Sequence, residues 1–95
     1  VAAGSTTEVS VSGRGGVPVG AGAAVLNVTV VDAGAAGFVT VFPCGQAVPN
    51  ASNLNVAAGQ TVPNAVVSKL GVGGTVCVFS SVSAHVLVDV NGSFP

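Results

Sequence analysis

The stretch "AAVLNVTVV" (residues 23–31) decides the fold. Its apolar residues recur every second position rather than every three or four. Successive side chains of an extended strand point to opposite faces, so the run splits in two. Ala24, Leu26, Val28 and Val30 fall on one face, and Val25, Asn27, Thr29 and Val31 on the other. One face is wholly apolar, and two of its four residues are β-branched valines, which suit a pleated, half-buried surface. The segment reads as a strand with its first face in a core.

The same alternation runs outward in both directions. Val39 and Val41 lie in phase, as do Val76 and Val78, and Val86, Val88 and Val90 oppose His85, Leu87 and Asp89. Glycine, proline, asparagine and aspartate punctuate these runs, and no segment sustains a capped 3.6-residue period. The pattern predicts strands at 7–12, 23–31, 37–43, 53–56, 64–70, 75–81 and 84–91. The fold class that follows is all-β, an antiparallel β-sandwich or a small barrel of about seven short strands. Residues 1–95 form a single module, since a chain of 95 residues is one domain's worth. Several strands are apolar on both faces. That implies a second contact surface, against a neighbouring domain, another copy, or a strand buried on both sides.

Composition limits the partners. Hydrophobic residues make up 49%, yet the only charged residues are Glu8, Arg14, Asp32, Lys69 and Asp89. An ordinary domain carries about 25% charged residues. Solvent must therefore meet Gly, Ala, Ser, Thr and Asn, and a formal net charge of −1 does little to keep copies apart. Two basic residues cannot neutralise a run of phosphates, which argues against nucleic acid and against anionic lipid. Asn27, Thr29 and Asp32 interrupt the best apolar run, so no membrane span is expected. No signal peptide is recognisable, consistent with a mature secreted product or an excerpt of a larger secreted protein.

Cys44 and Cys77 make an even pair. A disulfide is the leading reading, with a free or metal-bound pair as the alternative. Two cysteines and the lone His85 do not complete a closed zinc site. A disulfide would imply an oxidising, extracellular or cell-surface location.

The amide-rich stretch "VFPCGQAVPNASNLNVAAGQTVPNAVV" (residues 41–67) has two readings. Pro43, Gly45, Pro49, Asn50, Gly59, Pro63 and Asn64 are turn formers with a mechanical role. Asn50, Asn53, Asn55, Gln60 and Asn64 are also the best candidate binding surface, because amides hydrogen-bond sugar hydroxyls. The usual stacking platform is thin: the chain has no Trp or Tyr, only Phe38, Phe42, Phe79 and Phe94.

Catalytic chemistry is poorly supported. His85 and Asp89 stand about 13 Å apart along an extended strand. No G-x-S-x-G elbow occurs, and no two carboxylates lie close in sequence. The glycine-rich stretches "GRGGVPVGAG" (13–22) and "GVGG" (71–74) match neither a phosphate loop nor a dinucleotide fingerprint. "DVNG" (89–92) is only a fragment of a calcium loop. No catalytic residue, metal ligand or cofactor is assigned. Three sequons begin at Asn27, Asn50 and Asn91, of which Asn27 sits mid-strand and is a poor glycan acceptor.

Three segments carry a resemblance: "VSVSGRGGVPVGAGAAVLNVTVVDAGAAGFVTVFPCG", "ASNLNVAAGQTVPNAVV" and "HVLVDVNGSF". Together they resemble a β-rich module of secreted and cell-surface actinobacterial proteins, found in tandem copies or beside hydrolase and peptidoglycan-acting domains. The likeness covers Val9 to Phe94. Two departures stand out. Similar modules commonly end in Gly-Tyr-Phe, where this chain has Gly92-Ser93-Phe94. They often begin with an Arg-Leu-Leu-Asp-Thr-Arg-like strand, and nothing like it precedes Val1. The resemblance implies one repeat of a longer protein, whose first strand a neighbouring copy could supply by strand addition. It implies no activity and no catalytic set.

The expected function is a non-catalytic extracellular structural or assembly module, a surface repeat or a fibre or layer subunit. Its partners would be copies of itself or neighbouring domains. The alternative is a carbohydrate- or cell-wall-binding accessory module of a secreted enzyme, with polysaccharide as its partner.

Overall fold

The computed structural model describes residues 1–14, 16–50 and 52–95. Gly15, inside the first glycine-rich stretch, and Ala51, inside the Asn50 sequon, lie outside the described residues.

Among the described residues seven strands form: β1 (Ser5–Ser10), β2 (Ala23–Val31), β3 (Gly37–Pro43), β4 (Leu54–Val56), β5 (Val62–Lys69), β6 (Thr75–Ser80) and β7 (His85–Phe94). They make a four-stranded sheet in the order β1-β6-β3-β4 and a three-stranded sheet in the order β5-β2-β7. All pairings are antiparallel. The two sheets pack face to face as a sandwich, the first of the two expected architectures.

The core is the one that alternation marks out. Ala24, Leu26, Val28 and Val30 of β2 are fully buried, facing Val39, Val41, Val76 and Val78 of the other sheet. Val11, Val17, Leu54, Val56 and Val66 complete the cluster. Val86, Val88 and Val90 pack against it but are only partly buried, because β7 stands at a sheet edge. Ser80, the polar residue deepest in the core, directs its Oγ to the Val82 carbonyl at 2.6 Å. A buried hydroxyl without such a partner would cost a few kcal/mol.

Element ends differ from the sequence reading for identifiable reasons. β1 ends at Ser10 rather than at residue 12 because the chain turns there. The N–H groups of Val11 and Ser12 both donate to the Gly74 carbonyl, at 3.1 and 3.0 Å. β5 begins two residues earlier than predicted, at Val62, paired with Val30. β7 continues to Phe94 by way of an irregularity: Leu26 pairs with Val90 and Val25 with Gly92, which leaves Asn91 as an extra residue. Such a bulge lets a strand pass a ladder break and keep pairing.

One side of the sandwich is closed at the β4–β5 corner. There the Asn64 side-chain amide donates to the Asn53 carbonyl at 2.8 Å, tying the two sheets together. On the opposite side, residues 1–4 bridge β7 to β1. Val1 exchanges backbone hydrogen bonds with Ala84, and Gly4 donates to Ser80.

Candidate functional site

Two regions were marked by the sequence, the cysteine pair and the amide-rich stretch, and both lie around the outer side of β3. Cys44 and Cys77 form a disulfide with 5.1 Å between Cα atoms. The register explains why they meet. Phe42 pairs with Cys77 and Pro43 with Val76, so the residue after Pro43 comes back beside β6. The disulfide sits with Phe42 and Phe79 in a small apolar cluster separate from the main core. Phe38 extends it, its ring centroid 5.8 Å from that of Phe79. This cluster accounts for the two-sided apolar character of β3 and β6. Their inward residues enter the main core, and their other face builds a second one.

The turn between β5 and β6 closes over the disulfide. Val72 N–H donates to the Cys44 carbonyl, and Gly71 lies so close that an added Cβ would run into the Cys44 backbone. Glycine is needed there for space. At Gly74 of the same turn it is needed for its backbone as well: the conformation is left-handed (φ 72°) and a Cβ would strike Ser12.

The five candidate amides are exposed. Asn53 is the most structurally committed. β4 pairs with β3 only at residues 37–39, so the edge of β3 beyond Val39 lacks a strand partner on that side. The Asn53 side chain takes the strand's place: its Oδ1 accepts from Val41 N–H at 2.6 Å, and its own N–H donates to the Val39 carbonyl at 2.9 Å. Asn64 then holds the Asn53 carbonyl. Gln60 Oε1 accepts from Ala57 N–H at 2.9 Å, and Asn55 Oδ1 accepts from the Ser52 hydroxyl at 3.2 Å. The structure brings Asn53, Asn55 and Asn64 to the β4–β5 corner and places Gln60 in the following turn. Asn50 lies in the preceding loop. The side-chain mimicry of a strand by Asn53 has no local sequence signature, because it depends on how short β4 is.

Asn53→Ala is expected to leave the half-buried Val41 N–H without its acceptor. The expected loss is about 1–3 kcal/mol, the range for an orphaned buried donor. Urea unfolding monitored by circular dichroism would read it as a lowered midpoint with an unchanged slope.

The remaining candidates lie apart. His85 is exposed at the start of β7, and Asp89 is exposed further along the same strand. A surface concavity of about 440 Å³ is lined by Ser12, residues 19–21, Leu70 and glycines of the β5–β6 turn, with neither His85 nor Asp89 among its lining. Asn27 is half-buried in the middle of β2. Among the described residues no group of three His, Cys, Asp or Glu side chains gathers to hold a metal, and no helix is long and apolar enough to cross a membrane.

The outer face of the three-stranded sheet is the other notable surface. Registers place Val67, Val25 and Gly92 in one row, Ala65, Asn27 and Asp89 in the next, and Pro63, Thr29 and Leu87 in a third. Val67, Leu87 and Phe94 are 66%, 57% and 51% exposed. Compared with known proteins, the chain matches no family model, no curated protein and no solved structure.

Proposed function

We propose that this protein is a non-catalytic extracellular structural module that works by association with copies of itself or with neighbouring domains. The observation that carries this reading is the outer face of the three-stranded sheet. Three large apolar side chains stand more than half exposed on one chain with five charged residues. Large apolar side chains exposed on one sheet face offer contact surface, and weak net charge removes the repulsion that would oppose contact. The disulfide supports an oxidising, extracellular setting. The test is sedimentation of the purified chain across a wide concentration range, with Cys44–Cys77 oxidised and reduced. Defined oligomers or filaments are expected. A compact monomer at every concentration would overturn the reading.

A second reading, carbohydrate binding, has one specific observation in its favour: Asn53, Asn55 and Asn64 gather, exposed, at the β4–β5 corner. Retention on insoluble glycans, lost in Asn55→Ala, would favour it. Asn55 suits this test better than Asn53, whose replacement also weakens the fold.

A further inference from the structure

Phe38 is the second residue of β3 and alternates with Val39 and Val41, which enter the main core. Its ring therefore lies on the outer face of the four-stranded sheet, 39% exposed. Its backbone is pinned from one side. The Phe38 N–H donates to the Ser81 hydroxyl at 2.9 Å, and its carbonyl accepts from Ser81 N–H at 3.0 Å. On the other side Phe38 lies opposite Asn55 of β4. Since both its backbone bonds are spent on Ser81, Phe38 and Asn55 form a non-hydrogen-bonded pair, the kind in which side chains stand closest. Directly opposed residues share a face, so the ring and the amide are neighbours.

Both groups are held in place. Phe79 of β6 buttresses the Phe38 ring, with 5.8 Å between centroids. The Asn55 Oδ1 accepts from the Ser52 hydroxyl at 3.2 Å, which orients the amide. Its NH2 group has no partner among the described residues and is free to donate. No charged residue occurs in β3, β4 or β6. Recognition on this face therefore runs through ring contact and hydrogen bonds, without an ion pair.

We infer that Phe38 and Asn55 form a subsite for a neutral pyranose with equatorial hydroxyls, as in cellulose-type and chitin-type glycans. The inference rests on the carbohydrate reading above and names its contact residues. Equatorial hydroxyls leave both faces of a sugar ring lined with C–H groups. These carry a slight positive charge and suit the negative face of an aromatic ring. A pyranose lying on Phe38 brings its rim to Asn55, whose amide donates to a hydroxyl oxygen. Because Ser81, Phe79 and Ser52 already fix the two residues, binding orders little that is not ordered beforehand. An axial hydroxyl would lift the sugar off the ring, and a uronate carboxylate would meet no cation on these strands.

The test titrates the isotope-labelled chain with cellohexaose, chitohexaose and an oligogalacturonate, followed by nuclear magnetic resonance. The two neutral sugars should shift the backbone amides of Phe38, Asn55 and Ser81. The oligogalacturonate, acidic and bearing an axial hydroxyl, should not. Phe38→Leu keeps an apolar side chain but removes the flat ring, and affinity should fall by about tenfold. Phe38→Trp offers a larger face and should bind more tightly, which a purely structural role would not produce. If a neutral sugar binds but its shifts map elsewhere, or Phe38→Leu binds equally, the subsite is wrong and the carbohydrate reading keeps another surface. Equal binding of the oligogalacturonate would overturn the neutral class. If no sugar shifts any amide and insoluble cellulose and chitin retain nothing, subsite and carbohydrate reading both fall. Should Phe38→Leu fail to fold, the shift map of the unaltered chain decides.

Discussion

Leu26→Ala is expected to destabilise the fold by about 3–5 kcal/mol, the upper part of the range for large-to-small core substitutions. Leu26 is the largest of the fully buried side chains, in the central strand of the three-stranded sheet. Its neighbours are mostly valines, whose stiff χ1 leaves them little freedom to close the cavity. A domain of this size has about 5–15 kcal/mol in total, so the substitution removes a large fraction of it. Chemical denaturation would show a midpoint lowered sharply at constant slope. A loss under about 1 kcal/mol would mean that the two sheets can move together to refill the site.

Breaking the disulfide should act on a similar scale by a different route. Cys44 and Cys77 are 33 residues apart in sequence, and freeing a loop of that length costs about 3–4 kcal/mol in the chain-entropy model. Replacing both cysteines with alanine should lower the melting temperature by roughly 15–30 °C. The double substitution also thins the cluster around Phe42 and Phe79, so reduction of the unaltered protein is the cleaner comparison. If reduced and oxidised forms melt together, the register of β3 against β6 already fixes this loop in the unfolded ensemble.

Much of the fold was legible because β-structure writes a period of two. The alternation at 23–31 identified the four buried residues of β2, and the in-phase valines at 39, 41, 76 and 78 identified their counterparts. Turn chemistry located the breaks between strands. What the pattern could not carry was pairing order. Nothing local says that β1 lies beside β6, or that β3 rather than β5 sits next to β4 in the sheet. Strand ends were misjudged where a distant group sets them, as the Gly74 carbonyl does for the end of β1. The amide-rich stretch was ambiguous for a related reason. Asn53 and Gln60 read as candidate sugar-binding amides, not as turn formers. Their partners, Val41 N–H and Ala57 N–H, appear only once the chain is folded.

The strand order also sets a schedule. β1 has one partner, β6, and its first residue lies opposite Ser80 near the far end of the chain. β3 and β4 can meet early, and β2 can find β5 by residue 69, but β1 must wait for β6. Closing so long a loop before any contact rewards it makes folding slow, in the millisecond-to-second range of non-local β topologies. Until that closure the leading segment stays extended and unpaired. The whole sandwich thus becomes cooperative only when nearly all of these seven strands are free to fold together.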